Sequence, residues 1–175
     1  MKVVALVRHV LDRLLVVICL ILMTAMAVVV ISAVIWRTAG ASFTWYDEVA
    51  SVMLCWITYY GAALAALRRA HLGFPTIAAM LPPPLRLAVL AVTEGVVLFF
   101  FAMMAYFGVQ VIDLLHGDTL ISLPWVKVEF VMSVIPIGAV LFIVAELTTL
   151  PDKVREAWTG SPPGEGEHPV EATSR

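Results

Sequence analysis

Two cysteines and four histidines among 175 residues leave little material for metal or redox chemistry. Cys19 and Cys55 each sit alone within a long apolar run, where a small buried thiol is the ordinary state, and neither has the spacing of a metal or redox motif. His9, His71, His116 and His168 fall at the ends of apolar runs or in the tails, so no two can face each other across a membrane centre as haem ligation requires. No GxxxxGK[ST] loop, no HExxH and no grouping of serine, histidine and acid into a triad is present. The expectation is no cofactor, no metal and no catalytic residue, which argues against an enzyme. Charge is scarce as well: 14% of the residues are charged, against about 25% in a soluble domain. Nothing supports nucleic-acid binding.

What fills the chain instead is apolar sequence, 62% of all residues. A membrane helix needs roughly 20 apolar residues to cross a bilayer core of about 30 Å. Four runs qualify, at about 14–35, 49–67, 87–112 and 130–147. The first is too long for the 7–15 or so apolar residues of a signal peptide and reads as an uncleaved helix. Only Glu94 interrupts the third, and only Glu146 the fourth, near its end. The fold class is therefore an all-α integral membrane protein with one four-helix domain over residues 1–158. From Thr159 onward the chain is rich in proline, glycine and glutamate, so 159–175 reads as a disordered cytoplasmic tail.

The basic residues set an orientation. Lys2, Arg8 and Arg13 precede the first span, Arg68, Arg69 and Arg86 lie between the second and third, and Lys153, Arg155 and Arg175 follow the fourth. Only Arg37 and Lys127 fall on the other side. The positive-inside rule places the richer face, and both termini, in the cytoplasm. The opposite face carries Asp47, Glu48, Asp113, Asp118 and Glu129 and is mildly acidic.

The second span is polarised. Trp45, Tyr46, Asp47 and Glu48 open it, Arg68, Arg69 and His71 close it, and Thr44 is placed to cap its first turn. Trp45 and Tyr46 suit the aromatic belt, whereas Trp56 lies three turns deeper and requires a packing partner. Gly61 with Ala65, and Ala62 with Ala66, repeat small residues at the spacing that lets membrane helices approach closely, within this bundle or against another subunit. The loop that follows, His71 to Arg86, carries Leu72, Phe74, Ile77, Met80 and Leu81 before three prolines. This pattern fits a short amphipathic helix lying in the interface.

Glu94 is the sharpest anomaly, because a carboxylate inside a span is costly unless partnered. It lies eight residues beyond Arg86, about 12 Å along a helix. It reads as a contact between helices or subunits, with no second acid expected at its depth and Glu146 taken as a boundary residue. Arg37 and Glu48 flank the short outer loop, and their opposite charges are expected to tie the first two helices together.

Trp36-Arg37, Gly40, Trp45 with Asp47-Glu48, Trp56, Gly61-Ala62-Ala63, Arg68 and His71, taken in order, resemble the small membrane subunit of tripartite ATP-independent periplasmic (TRAP) transporters, the DctQ-like family. The segment with Leu123, Pro124, Trp125, Pro136 and Gly138 is similar to the start of that family's fourth helix. Asp47 stands where the family more often has a second glutamate. The resemblance covers about residues 10 to 150. It implies a scaffold for a large membrane subunit in ion-coupled uptake of a solute, often an organic acid, brought by a periplasmic binding protein. It also implies the inner membrane of a bacterium and no substrate site in this subunit. Arg37, Trp45, Glu48, Trp56, Gly61, Ala65, Arg68, His71 and Glu94 are then the candidates for the interface or scaffold. Two other readings stay open: the small subunit of another tripartite system such as the tricarboxylate type, and a small membrane enzyme or proton-conducting protein centred on Glu94.

Overall fold

The computed structural model describes residues 2–41, 44–68 and 82–159. They form α1 (Lys2–Thr38), α2 (Tyr46–Leu67), α3 (Pro83–Leu114), the short α4 (Val128–Met132) and α5 (Val134–Thr159). Four helical stretches are long and apolar enough to cross a membrane, Leu6–Thr38, Tyr46–Leu67, Pro84–Leu114 and Val128–Trp158. All-α architecture and four spans agree with the sequence. Arg69, His71, the expected interfacial helix up to Leu81 and the tail beyond Thr159 lie outside the described residues.

The helices run longer than the apolar cores that announce them. At 1.5 Å per residue, the 37 residues of α1 reach about 56 Å and the 32 of α3 about 48 Å, well over the roughly 30 Å of a bilayer core. Pro83 explains one early start. Pro82 is the extended N-cap of α3 and proline occupies its first positions, where the missing N–H has no helical partner to lose. The run of three prolines is therefore where the third span begins.

The fourth span is interrupted at Ser133, between α4 and α5. Pro136 has no N–H to offer the Met132 carbonyl, so the ladder cannot run through this point unbroken. The Ser133 hydroxyl donates to the Phe130 carbonyl at 2.7 Å, and the Ile137 N–H reaches back to Ser133 at 3.2 Å. Beyond Leu147 the helix continues through Pro151 to Thr159, twelve residues past the expected end.

Packing follows the order α1, α2, α5, α3, so α5 separates two helices that are neighbours in sequence. Leu11 and Leu15 of α1, Ala63, Ala66 and Leu67 of α2, and Phe142 and Ala145 of α5 form one buried cluster. Between apolar helices in lipid there is little hydrophobic drive, so close approach and dispersion decide which faces meet. Gly138 of α5 provides such an approach: a Cβ there would stand 2.7 Å from the Tyr59 Cβ of α2. Phe101 of α3 stacks on Phe142 of α5 with centroids 3.7 Å apart and planes 8° from parallel. The outer helices keep broad apolar faces exposed, with Leu20, Ile21 and Val28 on α1 and Val92, Val96 and Phe99 on α3.

Ionic contacts gather the basic ends. Arg8 pairs with Asp152 at 3.4 Å, Arg68 with Asp12 at 2.7 Å, and Arg86 donates to the Ala157 carbonyl at 3.5 Å. The starts of α1 and α3 and the ends of α2 and α5 therefore share one end of the bundle. The opposite end is closed by turns at Gly40 (φ +85°) and Gly117 (φ +93°), left-handed backbone that glycine adopts without steric cost. There Glu129 accepts the Gly117 N–H and meets His116 Nδ1, both at 2.9 Å. Thr44 does not cap α2: Trp45 holds the N-cap position without a side-chain cap, and the Thr44 carbonyl accepts from the Ser122 hydroxyl at 3.4 Å.

Candidate functional site

Three charged side chains meet between α3 and α5. The Lys153 ammonium donates to Glu94 Oε1 at 2.7 Å and, in a still closer contact, to Glu146 Oε1. Their side chains are 17%, 10% and 5% exposed, so the group is enclosed by protein. Its position follows from helix geometry. Seven residues are almost two full turns, which puts Glu146 and Lys153 on one face of α5, and that face looks at α3. Lys153 turns back along its own helix to reach the acids, as long amphipathic side chains do. The remaining oxygens, Glu94 Oε2 and Glu146 Oε2, are buried with no hydrogen-bond donor among the described residues.

This arrangement corrects two expectations. Glu146 is a buried member of an ion-pair cluster and no boundary residue, with 4% of its surface exposed. A second acid does therefore accompany Glu94 at its depth. The sequence carried a signal for both, the Glu146–Lys153 spacing on one helical face, but it gave no sign that α3 and α5 are neighbours. Beside the triad an open cleft of about 450 Å³ runs between the two helices, lined by Leu87, Leu90, Glu94, Leu98, Leu150 and Val154 among others.

The mid-span aromatic of α2 finds its partner inside the chain. Trp56 Nε1 donates to the Val131 carbonyl at 3.1 Å, and its ring lies 5.2 Å from that of Phe130 and 6.4 Å from that of Tyr60. The break between α4 and α5 leaves Val131 beside this indole. The small residues of α2 divide by face. Ala63 and Ala66 are buried in the core, whereas Gly61 and Ala65 are half-buried, and a Cβ built on Gly61 meets nothing within 4 Å.

At the basic end, Arg68 clasps Asp12 with two bonds, Nε to Oδ1 at 2.7 Å and Nη2 to Oδ2 at 3.0 Å. The paired carboxylate holds the guanidinium above its ordinary range, chiefly through the direct hydrogen bond. This fork ties α1 to α2, and Asp12 is a partner that the sequence reading missed. An acid among Arg8, His9 and Arg13 just before the first apolar run was the available signal.

At the other end, Glu48 does not turn to Arg37. Its two oxygens accept the backbone N–H groups of Ile121 at 3.1 Å and Ser122 at 2.8 Å, which pins the loop between α3 and α4 to the start of α2. Arg37 is exposed, and among the described residues no ion pair joins it to Glu48. Trp45 stands at the α2 N-cap, about one third exposed. Ile121 and Trp125 project from the pinned loop, 94% and 78% exposed. Among the described residues no group of three or more histidine, cysteine or acidic side chains has the geometry to hold a metal ion.

A search of curated proteins returns no match. The family model of the DctQ component of tripartite ATP-independent periplasmic transporters matches residues 26–156, the greater part of the chain. The chain belongs to this family.

Proposed function

We propose that this DctQ-family chain is the small permease subunit of a TRAP-type secondary transporter, acting as scaffold for a large membrane subunit. The family match carries the reading. The complete system would take up a solute, an organic acid, delivered by a periplasmic binding protein and coupled to an ion. The chain would sit in the inner membrane with the end that gathers Arg8, Arg68 and Arg86 in the cytoplasm, as the basic residues favour. The wide apolar faces of α1 and α3 supply surface for a helical partner and for lipid. The charged groups that lie deep between the helices pair with one another, which fits support better than solute binding.

The test is co-expression with a large TRAP membrane subunit. The two should co-purify, and proteoliposomes containing both, supplied with the binding protein, should accumulate solute. Either subunit alone should not. Full uptake by the large subunit and binding protein without this chain would overturn the assignment.

A further inference from the structure

We propose that Glu94 and Glu146 form a proton-binding site, holding one proton between their Oε2 atoms so that the two acids and the Lys153 ammonium sum to zero charge. Two ionised carboxylates and one ammonium would leave one net negative charge enclosed between apolar helices, and burying an unbalanced charge is expensive. Oε1 of each acid already accepts from the same ammonium nitrogen. Both Oε2 atoms are buried without a donor among the described residues, on side chains at least nine-tenths covered. The shared nitrogen brings the two carboxyls to one site. A protonated carboxyl is the donor that this geometry lacks: its O–H satisfies one orphan oxygen by pointing at the other. Two carboxylates confined to one site share a proton for the same reason.

Among the described residues no other group near the pair fills this role. On α5 the Thr149 hydroxyl is committed to the Glu146 carbonyl at 2.9 Å, and Asp152 pairs with Arg8 of α1. Arg68 of α2 is bound to Asp12, Arg86 of α3 reaches the Ala157 carbonyl, and Arg155 and Glu156 have contacts of their own. His9 and Arg13 of α1 are exposed, and Glu129 of α4 belongs to the opposite end with His116. Towards that end, α5 carries no ionisable side chain from Val134 to Ala145, and α3 has only Tyr106 between Gly95 and Ile112. The proton is held and not passed across. It joins α3 to α5 as a neutral link.

The experiment uses the full chain in lipid nanodiscs. Infrared spectra of the unmodified protein at neutral pH should contain a carboxylic-acid C=O band that shifts on deuteration and is absent from Glu94→Gln and Glu146→Gln. A folded state that keeps a proton already released by the unfolded chain binds more protons than that chain, so its stability falls as pH rises. Between about pH 7 and about pH 10 the unfolding temperature of the wild type should therefore drop further than that of either glutamine variant. Over this range glutamine supplies a permanent donor and leaves one carboxylate balanced by one ammonium, while the tyrosines and surface lysines are common to all three proteins. Absence of the acid band in the wild type, or its survival in both variants, overturns the proposal. So does one pH profile shared by all three.

Discussion

The indole N–H of Trp56 in α2 donates to the carbonyl oxygen of Val131, 3.1 Å away, at the interruption between α4 and α5. A polar group exposed by a helix break inside an apolar layer is thereby satisfied from a neighbouring helix, as buried backbone must be. The same contact sets Phe130 against the indole ring.

Trp56→Phe removes that donor while keeping most of the ring surface. Leaving a buried carbonyl unpaired costs about 1–3 kcal/mol, so the variant should unfold at lower denaturant than the wild type in detergent titrations. A midpoint equal to that of the wild type would mean that the carbonyl finds another donor.

Two glycines should behave oppositely. Gly138→Ala puts a methyl group against the Tyr59 Cβ, and overpacking of this kind costs about 1–3 kcal/mol. Gly61→Leu enters open space and should leave the isolated chain as stable as the wild type. If the α2 face around Gly61 and Ala65 meets the large subunit, that same leucine should reduce recovery of the pair in a pull-down. Recovery at the wild-type level would remove this face from the proposed interface.

Glu48→Ala should release the loop between α3 and α4. Exchange of the Ile121 and Ser122 amide protons with deuterium should accelerate, while peptides from the α5 core keep their protection. Arg37→Glu should leave both rates unchanged, because the loop is pinned without Arg37.

Lys153→Met leaves Glu94 and Glu146 facing each other without their cation. Removing one partner from a buried ion-pair group costs about 3–5 kcal/mol, so the folded fraction of this variant should fall well below that of Glu94→Gln. Equal stability of the two variants would argue that the ammonium contributes little to the link between α3 and α5.

Four spans, one basic end and the family could all be read from the residues, because each depends on how a segment compares with lipid or on an ordered set of marks along the chain. The polarised α2 and the anomaly of Glu94 were equally legible. Which helix lies beside which was not. α3 is apolar around nearly its whole circumference, so its sequence favours no face, and in lipid a hydrophobic face does not choose its neighbour. Only the folded chain shows α5 between α2 and α3. That placement brings Lys153, counted in sequence as a flanking charge, onto Glu94 fifty-nine residues away, and Val131 beneath Trp56 seventy-five residues away. The sequence states that a buried carboxylate and a mid-span indole need partners; tertiary packing alone decides which partners they receive, because close approach at Gly138 and the break at Ser133 set the faces that meet.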